Sequence, residues 1–141
     1  MAISSAFTTP AKLAFLKGEL LASHTYKIAL YTSSATLDAS TTGYSATNEI
    51  SGTGYTATGN TLSGYAATTS GTTAFLDWAD TSWTSSSFTA AGCLIYDDTD
   101  TVGPDRSLCT ISFGGDKTVT SGTFTIQFPT ADATNAILRL A

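Results

Sequence analysis

Thr123-Phe124-Thr125-Ile126-Gln127-Phe128 sets an aromatic or aliphatic side chain at every second position, with hydroxyl and amide side chains between them. Successive side chains of a β-strand point to opposite faces, so this spacing predicts a strand that buries Phe124, Ile126 and Phe128 and exposes Thr123, Thr125 and Gln127. The same period governs 26–31, where Tyr26, Ile28 and Leu30 interleave with Lys27, Ala29 and Tyr31. Working outward from these two runs, strands are predicted over 72–78, 81–85, 87–96, 107–113 and 135–140, separated by Gly, Ser, Asn and Asp turns. Many short strands divided by turn residues predict an all-β fold, an antiparallel β-sandwich of jelly-roll-like type with one short N-terminal α-helix.

Composition supports this reading. A chain of 141 residues suits a single domain, 1–141, with a core that needs no disulfide or metal. Only 12% of residues are charged, about half the usual share. Thr, Ser, Ala and Gly must therefore make up the surface, and the β-branched stem of Thr fits a pleated sheet. Six basic residues against eleven acidic ones give a net charge of −5, so neither nucleic acid nor a membrane surface is an expected partner. The first residues lack a charged and apolar leader pattern, and no run approaches the roughly 20 apolar residues of a membrane span, so synthesis as a soluble cytoplasmic product is expected. Cys93 and Cys109 are expected to stay reduced.

Thr8-Thr9-Pro10 precedes the one helix, predicted over 9–22, with a hydroxyl at the N-cap, Pro in the first turn, and Leu13, Leu16 and Leu20 on one face. Gly18 weakens it. Residues 1–8 form a candidate arm carrying the apolar Ile3 and Phe7, and 25–141 form the sandwich. His24, the single histidine, excludes multi-His metal sites and is expected at the C-terminal end of the helix, where its charge suits the dipole. A hairpin turn centred on Thr101 predicts Cys93 opposite Cys109, Leu94 opposite Leu108 and Ala91 opposite Ile111. The loop 97–105 holds four carboxylates; it reads as an exposed acidic turn or as a weak cation site, since its spacing departs from the calcium-loop pattern.

Between 33 and 73 the chain repeats a short motif three times: Gly43-Tyr44-Ser45-Ala46-Thr47, Gly54-Tyr55-Thr56-Ala57-Thr58 and Gly64-Tyr65-Ala66-Ala67-Thr68. A spacing of ten or eleven residues fits one strand and one turn, hence a meander or an ordered surface loop. Trp78, in an alternating run, is expected in the core. Tyr44, Tyr55, Tyr65 and Trp83 are candidates either for contact with a partner or glycan, or for pinning this segment to the sandwich. Asp77 with Asp80 or Glu49 are the carboxylates that a glycan hydrolase would need, but the chain holds no nucleotide-binding, nucleophile-elbow or redox-cysteine motif. No catalysis, cofactor or metal centre is expected.

Three segments together resemble a family of known proteins: Tyr26-Lys27-Ile28-Ala29-Leu30-Tyr31-Thr32-Ser33-Ser34-Ala35-Thr36-Leu37, Glu49-Ile50-Ser51-Gly52-Thr53-Gly54-Tyr55-Thr56, and Phe124-Thr125-Ile126-Gln127-Phe128-Pro129 with Asn135-Ala136-Ile137-Leu138-Arg139. The chain resembles the capsid decoration, or cement, proteins of tailed bacteriophages over most of its length after Tyr26. The resemblance implies a β-sandwich homotrimer on the outer capsid surface of the virion, bound to the major capsid protein and stabilising the expanded head. Related sandwiches at the distal ends of tailspikes imply the alternative, a host-contact module that binds cell-surface glycan. Ile3, Phe7, Tyr44, Tyr55, Tyr65 and Trp83 are the expected capsid or subunit contacts.

Overall fold

In the computed structural model, which describes residues 2–99 and 105–141, the chain forms two antiparallel sheets and one short helix, as an all-β sandwich requires. The elements are β1 (Ala6–Phe7), α1 (Thr9–Lys17), β2 (Tyr26–Tyr31), β3 (Asn60–Thr61), β4 (Ala66–Ser70), β5 (Thr73–Asp77), β6 (Thr81–Asp97), β7 (Arg106–Ile126) and β8 (Leu138–Leu140). The larger sheet runs β1-β7-β6-β2-β3 and the smaller β4-β5-β8. Tyr26, Ile28 and Leu30 face the main core with Ile95, Leu108 and both tryptophans. Trp78 lies there as expected, 3% exposed.

The other face of β2 departs from the alternating expectation. Ala29 and Tyr31 are buried with Leu94, Tyr96, Ala35 and Leu37 in a second apolar cluster, and Ile3 and Tyr44 pack against it. The segment after β2 therefore folds back over the sheet, so β2 is covered on both sides. Ile3 bridges to Leu37, and β1 pairs with β7 through Ala6↔Thr110 and Phe7↔Cys109, which fixes the arm to the sheet.

Four predicted strands merge into two. Ser86, the break between the predicted strands 81–85 and 87–96, lies with Ser85 in a bulge within β6, where Ser85 takes a φ of 49°. Gly114-Gly115-Asp116, a turn by composition, is an insertion within β7: pairing passes from Ala90↔Lys117 to Gly92↔Ser112, so two steps along β6 match five along β7. Turn-forming residues here bend a strand rather than end it.

The hairpin register is offset by two from the predicted one. Cys93 lies opposite Ile111, Leu94 opposite Thr110 and Ile95 opposite Cys109, with a further irregularity between Ile95 and Tyr96. An even offset keeps each side chain on its face, so both cysteines stay in the core as free thiols. Burial raises both, Cys109 to about 12. The predicted turn centre, Thr101, and Asp100 fall outside the described residues.

The helix differs most. It ends at Lys17, five residues short of the expected stop, because Gly18 adopts a left-handed φ of 72° and its N–H turns back to the Phe15 carbonyl. Thr8 holds the N-cap position, yet its hydroxyl caps nothing; it donates across to the Ser107 carbonyl of β7 at 3.1 Å. His24 is correspondingly not a helix-end residue. It sits in the following turn with Nδ1 2.6 Å from Oδ2 of the buried Asp97, whose Oδ1 accepts the Thr99 N–H at 2.9 Å.

Candidate interaction surface

The residues that seat α1 are its alanines. Ala11 and Ala14, three apart on one face, are 0% and 1% exposed, and the helix packs on β7. Methyl side chains let the helix axis approach the sheet closely, which turns the larger side chains outward. Leu13 is 53% exposed, Phe15 47% and Leu16 80%; with Leu21 and Leu140 these are the exposed large hydrophobics among the described residues. Leu13 and Leu16, expected on one face with Leu20, thus meet solvent, whereas Leu20 packs partly against the core. Lys12 and Lys17 flank the exposed face, and no acid lies in the first turn.

Beside this face runs an apolar groove of about 310 Å³. Phe7, Phe15 and Leu20 line one side of it, Leu76, Leu138 and Leu140 the other. The register explains the second wall. Ala67, Leu76 and Leu138 form one cross-strand row of the small sheet, and Thr69, Ala74 and Leu140 form the next, so both rows point to one face.

The expected contact residues lie elsewhere. Trp83 is 3% exposed, in edge-on contact with Phe88 and Phe124, so as an exposed anchor it is corrected to a core residue. The three repeated tyrosines are half-buried and tie their segment down. Tyr44 stacks on Tyr96 at 5.0 Å, Tyr55 meets Phe88 edge-on at 5.9 Å, and Tyr65 stacks on Tyr26 at 5.7 Å. Pairs of this kind contribute about 0.5–1.5 kcal/mol each beyond area burial. Of the two readings open for these tyrosines, the geometry realises pinning. Ile3 and Phe7 are likewise half-buried rather than projecting.

Two of the tyrosines converge on one carboxylate. Glu49 accepts the Tyr44 hydroxyl on Oε2 at 2.6 Å, and on Oε1 the Tyr55 hydroxyl at 2.6 Å and the Thr58 N–H at 2.8 Å. The Tyr55 oxygen accepts the Leu30 N–H at 3.0 Å, and the Tyr96 hydroxyl donates to the Thr58 carbonyl at 2.7 Å. Glu49 therefore joins the first two motif copies to β2 and β6. Asp80, another carboxylate of interest, accepts the Phe128 N–H at 2.8 Å.

No family model, curated protein or solved structure matches this chain. Among the described residues no group of three or more His, Cys, Asp or Glu could hold a metal ion, and no helix is long and apolar enough to cross a membrane.

Burial is the largest cause raising the pKa of all six tyrosines, and the Tyr44 phenol, which also donates to Glu49, is pushed up to about 12. An unfolded tyrosine ionises near 10, so the unfolded chain releases protons first; stability is whole below about pH 10 and falls as pH rises through the folded values. Absorbance at 295 nm is expected to show almost no tyrosinate near pH 10, then a cooperative rise together with loss of the β-sheet circular dichroism. Gradual, independent titration around pH 10 in the folded protein would contradict this.

Sequence reasoning missed Leu13, Phe15 and Leu16 as surface residues. The signal was present in Ala11 and Ala14: a helix with apolar residues on both faces can dock by its smaller ones.

Proposed function

We propose that this chain is a structural virion protein that binds the outer surface of a phage capsid and stabilises the expanded head, with the major capsid protein as its partner and no catalytic step. The observation that supports this reading most is the exposed apolar face of α1, Leu13 and Leu16 beside Phe15, on a body with few charges. Such a face buries apolar area on contact, and an added subunit that binds only the assembled shell stabilises it by its binding free energy. The resemblance carried by residues 26–37, 49–56, 124–129 and 135–139 points the same way. A body of low charge also makes binding tolerant of salt.

The test is co-sedimentation with emptied, expanded shells. Replacing Leu13 and Leu16 together with Glu is expected to weaken binding by more than about 100-fold, since each leucine contributes about 1.5–3 kcal/mol when buried at an interface. The melting temperature should hardly move, because both side chains are exposed in the free chain. Unchanged shell binding by this double variant, or density for the chain at the tail tip instead of the head, would reject the reading.

A further inference from the structure

Strand β4 is the uncovered edge of the small sheet. All five of its residues, Ala66-Ala67-Thr68-Thr69-Ser70, are exposed, and within the described residues its ladder is made to β5 alone. Its pairing runs without a break from Ala66↔Asp77 to Ser70↔Thr73. Edge strands present unpaired N–H and C=O groups, and proteins ordinarily guard them by shortness, charge, proline or a bulge. The other edges here follow that rule. β1 and β3 are two residues each, and β8 has three residues, with Arg139 at its centre tied to the Ala133 carbonyl at 2.8 Å. β4 is longer, unbroken and uncharged.

We propose that β4 pairs antiparallel with β4 of a second copy of this chain, joining two small sheets into one continuous six-stranded sheet. A two-fold contact requires a surface complementary to itself. Centred on Thr68, the pairing sets Thr68 against Thr68, Ala67 against Thr69 and Ala66 against Ser70, small neutral residues throughout. Charge selects this strand: each copy carries −5, so two copies meet best where neither has a charge, and β4 has none. Area supports the same occupant. A five-residue ladder alone falls short of the roughly 800 Å² per partner of a stable interface. The rows Ala67-Leu76-Leu138 and Thr69-Ala74-Leu140 continue across the dyad, so the two apolar grooves merge into one trough that adds apolar area. The exposed leucines of α1 are not needed for this contact, and the inference does not rest on the virion reading.

The test uses the purified full chain at about 100 μM, with mass measured by sedimentation and light scattering. Twice the chain mass of 14.5 kDa is expected. Thr68→Lys and Thr68→Glu each place like charges face to face and are expected to raise the dimer dissociation constant at least about tenfold. An equimolar mixture of the two variants should restore the dimer, which a merely structural defect would not do. Thr68→Cys is expected to cross-link the two copies under mild oxidation, since the native cysteines are buried. A monomer at this concentration, an assembly of three copies, or a dimer indifferent to Thr68→Lys overturns the proposal. So does a mixture that stays monomeric while Thr68→Cys fails to cross-link.

Discussion

Gly59→Ala is expected to destabilise the folded chain severely, by at least about 4 kcal/mol. Gly59 takes a left-handed φ of 78°, and a Cβ built there would stand 1.8 Å from the Ile28 carbonyl oxygen and 2.8 Å from the Ala29 Cα. Both obstacles are backbone atoms of β2, a strand buried on both faces, so neither can move without disturbing two apolar clusters. Strain of this kind, added to loss of packing, costs at least about 4 kcal/mol, a large part of a typical domain's stability. The measurement is circular dichroism of the refolded variant. Gly114→Ala is the control, because it shares a positive φ of 75° but meets no atom within 4 Å. It should cost only about 1 kcal/mol. Equal effects at the two positions would show that conformation, not the wall of β2, dominates.

The second large effect is expected at Glu49. Glu49→Ala removes the acceptor of two tyrosine hydroxyls and of the Thr58 N–H, all half-buried. Buried donors left unpaired each cost about 1–3 kcal/mol, and partial access to water lowers the total to about 3 kcal/mol. For a chain of this size that is a fall in Tm of about 10 °C. Near-ultraviolet circular dichroism should lose tyrosine signal as the Tyr44 and Tyr55 rings gain freedom. Glu49→Gln, which keeps one acceptor oxygen, should fall between wild type and Glu49→Ala. A fall in Tm below about 3 °C for Glu49→Ala would mean that ring stacking alone holds the segment.

Period two was enough to find the sheets, because Phe124, Ile126 and Phe128, and Tyr26, Ile28 and Leu30, each obey it strictly. It was not enough to find where strands end. Ser85-Ser86 and Gly114-Gly115-Asp116 have turn composition, and whether such residues turn or bulge depends on the partner strand, which is non-local information. The hairpin register illustrates the same limit: matching apolar residues around Thr101 gave the face of Cys93 and Cys109, but an offset of two keeps every side chain on that face even though it sets Leu94 against Thr110. The contact surface was less legible. Residue type left Tyr44, Tyr55, Tyr65 and Trp83 open to partner contact or to pinning, and aromatic partners far away in sequence decide for pinning. The helix leucines were placed on one face with no partner to say what that face meets. Only the docking of Ala11 and Ala14 on β7 decides which side of α1 meets water, and β7 begins nearly a hundred residues later.

That separation bears on how the chain leaves the ribosome. β1 and α1 are made first, but the strand they rest on, β7, is among the last long segments to emerge. Until then the helix has no surface on which to fold, and an isolated nine-residue helix is marginal in water. The N-terminal apolar residues must therefore wait exposed while most of the chain is synthesised. Completion of the domain is set by its C-terminal third, and a stalled or truncated product would be an aggregating species rather than a smaller stable one.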